Sequence, residues 1–254
     1  MKFILRLLIL SIYFSAPGVA LAKPQLILDL AKEKVEITTG FNGETLNIYG
    51  LVIADDPDRD AYEIAVTIKG PAENMIVRRK EEVFGMWMNR SFVEFKDVYS
   101  LYDLSLSAPP EEISDPGTLE KYDIGLDYLS FEPTRKIQDP VSELTFHEAV
   151  ISTKQSQSLY ALTQKDLEFI TENFFTTSFR VPASVPTGMY MIEGFLFNEG
   201  KLVDHRKKEL KVAQVGMNAE IFQFARYNAL LYGLTAIFLA LAFGWMAHSF
   251  LRQD

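Results

Sequence analysis

Apolar and polar positions alternate along much of this chain, and the alternation predicts strands. Residues 25–30 form a short apolar run, and residues 34–38 put Val35 and Ile37 on one face. Asn42-Gly43 makes a turn before Leu46, Ile48, Gly50 and Val52, which recur at period two. Asp55-Asp56-Pro57-Asp58 reads as a polar loop, and Tyr62, Ile64, Val66 and Ile68 then alternate up to a turn at Gly70-Pro71. Residues 75–84, 86–88 and 92–95 continue as shorter strands. After residue 174 the pattern returns over 175–181, 189–197 and 201–212, the last two joined by Asn198-Glu199-Gly200. The approach to that hairpin, from Pro182 to Tyr190, has the form Pro-x-x-x-Pro-x-Gly-x-Tyr. There Gly188 permits a tight turn and Tyr190 packs inward, as at the close of many immunoglobulin-like domains. The prediction is a mainly β fold, an immunoglobulin-like sandwich.

Residues 109–158 break the pattern. Ala108-Pro109-Pro110 and Asp115-Pro116-Gly117 are loop chemistry. Leu119, Tyr122, Leu126 and Leu129 recur at three and four residues, a short helix weakened by Gly125. Ser142 caps a second helix over 143–155. This stretch reads as a helical insertion.

The two ends carry patterns of their own. Lys2 and Arg6, an apolar run over 7–14 and Ala20-Leu21-Ala22 make a secretory signal cleaved after residue 22. From Ala229 to Leu251 the only ionisable side chains are Tyr232 and His248. As a helix this stretch rises roughly 30 Å, enough to cross the hydrocarbon core. Tyr227, Tyr232 and Trp245 sit where interfacial aromatics belong. The expected organisation is a signal at 1–22, a β-sandwich ectodomain at 23–215, a juxtamembrane segment at 216–228, a membrane helix at 229–251 and a cytoplasmic tail at 252–254. The signal sets the orientation, with the ectodomain outside the cytoplasm. The compartment expected first is a bacterial periplasm, with the helix in the inner membrane; a eukaryotic secretory membrane stays open.

Composition narrows the chemistry. With no cysteine, disulfides, thiolate metal sites and cysteine nucleophiles are excluded. Acidic side chains number 34 against 25 basic, a formal charge of −9. Such a surface repels nucleic acid and anionic lipid headgroups. The three histidines, His147, His205 and His248, show no metal-ligand spacing and read as surface or capping residues. No Gly-x-Ser-x-Gly elbow, phosphate loop or dinucleotide fingerprint occurs, so no catalytic residue, metal ligand or cofactor is expected. Met86-Trp87-Met88 raises copper(I), which thioethers favour. In a strand the two methionines face one way and the tryptophan the other, which is simpler as core packing on two faces. Met189 and Met191 read the same way.

Two patterns remain. Arg78, Arg79 and Lys80 form the densest basic run, with Arg90 close behind, and could hold a small anion. The plainer reading is an edge strand protected by charge and balanced by Glu81 and Glu82. In the membrane helix, Ala229, Gly233, Ala236, Ala240, Gly244 and Ala247 recur at three and four residues and share one stripe. Small stripes let membrane helices pack closely. This one predicts docking against another inner-membrane protein, or a homodimer.

Several segments together resemble a family of transmembrane proteins of alphaproteobacteria. They are residues 77–89 (Val-Arg-Arg-Lys-Glu-Glu-Val-Phe-Gly-Met-Trp-Met-Asn), Phe95-x-x-Val-x-Ser-x-Tyr102, Leu159-Tyr160, the Pro182 to Tyr190 phrase and the helix from Gly233 to Trp245. The likeness covers almost all of the chain after the signal. It implies an exported domain on one C-terminal helix and carries over no catalytic residue. Family genes neighbour those of exporters of sulfite-like anions, which points towards a transporter. One departure is Tyr99, where the family pattern has proline before the serine. The function expected is therefore a membrane-anchored periplasmic interaction module, an accessory subunit of an inner-membrane protein such as a transporter. The alternatives are a small-anion-binding protein and an enzyme whose site is assembled from distant residues.

Overall fold

The computed structural model describes residues 23–54, 62–135, 140–162 and 165–251. The signal, the Asp55–Asp58 loop and the tail at 252–254 lie outside the described residues. The fold is mainly β. Before the insertion come β1 (Gln25–Leu30), β2 (Lys34–Ile37), β3 (Glu44–Ile53), β4 (Tyr62–Lys69), β5 (Ala72–Val83), β6 (Met86–Tyr99) and β7 (Tyr102–Leu106). Then follow α1 (Pro110–Ile113), α2 (Pro116–Tyr122), a 3-10 turn at Leu126–Tyr128, β8 (Glu132–Pro133) and α3 (Pro140–Ser156). The chain ends with β9 (Lys165–Asp166), β10 (Glu168–Phe169), β11 (Phe174–Val181), β12 (Gly188–Asn198), β13 (Lys201–Gln214), α4 (Met217–Tyr227) and α5 (Ala229–Leu251).

Strands from both sides of the insertion share two sheets. One has the order β1-β3-β11-β10 and the other β2-β13-β12-β4-β7-β9. β11 pairs with β3 from Phe174↔Leu51 to Val181↔Glu44, and β12 pairs with β4 from Met191↔Lys69 to Asn198↔Tyr62. The two stretches therefore build one sandwich. Alternation decides what faces inward. Leu26, Leu28, Leu30, Leu46, Ile48, Phe175 and Phe179 are buried from the first sheet, and Ile64, Val66, Ile68, Ile192 and Leu196 from the second. A side chain at Gly194 would strike Leu26 and Leu28, so the sheets approach closely there.

The middle of the second sheet is buried on both faces. Six consecutive residues of β4, Ile64 to Lys69, are buried, as is all of β7. The insertion supplies the outer cover through Leu119, Ile124, Leu129, Phe131, Phe146 and Val150. Its first helix is shorter than the spacing predicted. α2 is capped by the Asp115 side chain on Thr118 N and stops at Asp123, whose φ of 52° is left-handed.

β5 and β6 leave the sandwich as a separate antiparallel arm, joined at its base by β8 through Phe95↔Pro133. The separate short strands predicted between residues 75 and 95 are this one hairpin. Its base packs against the insertion. Val77, Phe95 and Val98 are buried, Phe95 meets Phe131 edge-on at 6.3 Å, and the buried Lys154 of α3 pairs with Glu73. Its outer half exposes its described apolar side chains. Phe84 is 99% exposed and Trp87 70%, with Met86, Met88 and Phe92 also exposed. The core packing expected of Met86-Trp87-Met88 is therefore wrong. Period two shows that a strand has two faces, not that anything covers them. Met189 is exposed for the same reason.

Candidate functional site

A cluster of buried and half-buried charge lies on the outer face of the second sheet beneath α2. Antiparallel pairing brings Lys69 of β4, Glu193 of β12 and the neighbours His205 and Lys207 of β13 onto this face. Lys69 Nζ lies 2.8 Å from Glu193 Oε2 and 3.7 Å from Asp123 Oδ2, and donates to the Tyr122 carbonyl at 2.7 Å. Glu193 Oε1 takes Lys207 Nζ at 2.6 Å. Tyr99 donates to Asp123 Oδ2 at 2.8 Å, and Tyr102 donates to the Asp123 carbonyl while accepting from Gly125 N. The left-handed turn at Asp123 is thereby clamped from sheet and arm at once.

His205 stacks on Phe195 at 4.4 Å and meets Tyr122 edge-on at 5.6 Å. Its Nε2 is buried, 3.3 Å from Glu193 Oε1 at an angle that makes no hydrogen bond. Burial lowers its basicity, and Lys207 and Lys69 add to this against the pull of Glu193. Burial alone would raise the Glu193 carboxyl, but Lys69 and Lys207 outweigh it and hold it below the usual carboxylate value of 4.5. Burial pushes the phenols of Tyr99, Tyr102 and Tyr160 upward, so they stay neutral donors. Apart from His205 Nε2, these groups satisfy one another and fix the insertion to the sheet. The sequence signal for them was a lone lysine closing the run Ile64–Ile68 and a lone glutamate inside the apolar β12. His205 is half-buried in this cluster and is not a surface residue. His147 Nε2 lies 2.6 Å from the Leu129 carbonyl and its ring 4.8 Å from Phe131, so it ties α3 to the insertion's loop. Among the described residues, no three His, Asp or Glu side chains converge as a metal site would require.

The predicted anion contacts fall on the arm. Arg78, Arg79 and Lys80 are exposed on β5, the edge strand of the order β5-β6-β8, and Arg90 lies on β6 where the register shifts opposite Arg79 and Lys80. The arm thus carries the basic run and the exposed aromatics on one hairpin.

α5 runs unbroken for 23 residues, about 34 Å at the helical rise. Residues 229–248 have a mean hydropathy of 1.9, and none of that span is buried within the molecule. Ala229, Gly233, Ala236, Ala240, Gly244 and Ala247 fall on one stripe, and a side chain added at Gly233 or Gly244 would meet nothing within 4 Å. A cleft between the sheet and α4 lies beside the start of this helix, lined by Met189, Lys211, Phe222, Arg226 and Tyr227 among others.

A β-sandwich carrying one apolar, unburied C-terminal helix of spanning length is a single-pass membrane-anchored protein. The profile of a family described as "Putative transmembrane protein (Alph_Pro_TM)" matches residues 25–253, and the chain belongs to that family. No curated protein sequence matches the chain. Among solved structures it is similar to the sporulation control protein Spo0M of Bacillus subtilis. The identity is 8%, over 82% of this chain and 56% of that one, and the TM-score of 0.29 is too low to carry an argument. The chain spans about half the length of that structure.

Proposed function

We propose that this protein is a non-enzymatic interaction module, anchored in a bacterial inner membrane with its sandwich in the periplasm, and an accessory subunit of another inner-membrane protein such as a transporter. The observation that carries this reading is α5, whose small-residue stripe leaves open space at Gly233 and Gly244. Close backbone approach by a second helix fills such space with van der Waals contact. The buried cluster agrees with a structural role for the ectodomain, since its charges are spent on one another.

Crosslinked purification of the full chain from its native membrane tests the reading, beside a variant with Gly233, Ala240 and Gly244 changed to leucine. A membrane protein recovered with the parent and lost from the variant supports an accessory subunit. Recovery of the chain alone from both removes the stripe as a docking face. Small-anion binding by Arg78, Arg79, Lys80 and Arg90 is the weaker reading, because the first three lie exposed on an open strand edge.

A further inference from the structure

The arm breaks a local rule at its tip. Val83 pairs with Met86, so Phe84 and Gly85 form a two-residue turn, and both have positive φ, 53° and 78°. This geometry selects Asn-Gly, because a bulky side chain at positive φ is strained. Here it holds a phenylalanine, 99% exposed, which the folded molecule gives nothing to pack on. Met86, Trp87, Met88 and Phe92 continue the apolar surface, and the exposed cations Arg78 and Lys80 follow on the opposite strand. A residue that costs strain and makes no contact within its own chain is explained by a contact outside it.

The root of the arm indicates what that contact is. β4 passes into β5 at Gly70-Pro71, and Pro71 lies against Gly188. Gly188 pairs with Val212, two residues before β13 ends and the chain turns towards α4 and the membrane helix. The arm therefore leaves the sandwich at the end from which the chain descends to the bilayer. A strand of 12 residues reaches about 40 Å, and the part beyond Val77 overhangs by about 20 Å. α4 exposes a second apolar set beside the same end, Ile221, Phe222 and Tyr227. Tryptophan, phenylalanine and methionine next to arginine and lysine are what a membrane interface selects. Over residues 72–99 the arm carries five basic and five acidic side chains, Glu81 and Glu82 beside the tip among them, so it meets anionic headgroups without the acidic excess of the rest of the chain.

We propose that the tip of the arm, Phe84, Met86, Trp87, Met88 and Phe92, inserts into the interfacial layer of the bilayer that α5 spans, with Arg78 and Lys80 at the lipid phosphates. The tether holds the tip at high effective concentration, so shallow insertion is enough to fix the tilt of the sandwich on the membrane.

The chain has two tryptophans, Trp87 and Trp245. Trp245→Phe leaves Trp87 as the only reporter in the full-length protein. It is reconstituted in vesicles of phosphatidylcholine with one third phosphatidylglycerol, and in phosphatidylcholine alone. The expected result is a blue-shifted Trp87 emission, several-fold weaker quenching by acrylamide than in the unfolded chain, and strong quenching by phospholipid brominated near the headgroup. Shielding should weaken with salt in the anionic vesicles. Phe84→Asn supplies the residue the turn prefers. It should leave the melting temperature in detergent unchanged or raised and make Trp87 more accessible to acrylamide in vesicles. Trp87 fully open to acrylamide in both vesicles overturns the proposal. Trp87 shielded from acrylamide but untouched by brominated lipid overturns it too, by showing a protein contact.

Discussion

Two residues sit where ordinary rules advise against them. Phe84 occupies a turn position made for asparagine, and Glu193 occupies an apolar strand. Only Glu193 is compensated within the molecule, by Lys69 and Lys207. Removing one partner of such a pair strands the other, which typically costs about 3 kcal/mol or more. His205 makes the same cluster sensitive to pH. Its folded pKa is lowered from 6.5, chiefly by burial among Phe195, Tyr122 and the insertion, with Lys69 and Lys207 adding to this and Glu193 opposing. The folded state therefore binds a proton less readily than the unfolded chain. The stability held by neutral His205 is present above pH 6.5 and is lost as pH falls through the folded value. Glu193 contributes separately. Its depressed carboxyl stabilises above 4.5, and that contribution is lost as pH falls below it. The melting temperature of the full chain in detergent should thus decline in two steps on acidification. His205→Phe, which keeps the aromatic stack, should remove the first step and leave the second. A curve unchanged by that substitution would place the first step on another group.

At the scale of elements, the strands were legible where one face is buried and the other is not. Leu46, Ile48 and Val52 of β3, and the hairpin of β12 and β13, follow directly from alternation and a glycine turn. The insertion was legible from its change of period. The arm was not, because a free strand and a half-buried strand carry the same alternation, and only the contacts of the whole fold separate them. The buried cluster was not legible either, because Lys69 and Glu193 stand far apart in sequence and meet only through the pairing of β4 with β12. Gly50 shows what pairing demands of a single position. It lies between Leu28 and Phe175 in the first sheet, and a methyl group there would come within 1.9 Å of the Phe175 ring. Gly50→Ala must displace that ring from a core that is already filled. The expected loss is about 1–3 kcal/mol, read as a lower urea midpoint at unchanged slope. Gly85→Ala meets no side chain at the open tip. Its cost is confined to the turn, where a φ of 78° suits glycine.

Among the described residues one helix is long and apolar enough to span a membrane, and function turns on which side holds the sandwich. Charge near the helix hardly decides it. Lys207, Lys208, Lys211 and Arg226 precede α5, and Arg252 follows. By the positive-inside rule that excess would favour the sandwich on the cytoplasmic side, whereas the signal expected at residues 1–22 would export it, and long translocated domains largely ignore nearby charge. The absence of cysteine makes the question answerable with single labels. Lys201 lies exposed at the start of β13, beside the turn from β12, and Asp254 follows α5 in the sequence. Lys201→Cys should react with a membrane-impermeant maleimide in intact spheroplasts, and Asp254→Cys only after lysis. The reverse pattern would put the sandwich in the cytoplasm and rule out a periplasmic partner. It would leave the arm free to meet the same bilayer from the other leaflet, since the arm leaves the sandwich at the membrane-proximal end in either orientation. The sidedness of the protein and the immersion of its arm are therefore separate questions, and each measurement stands if the other fails.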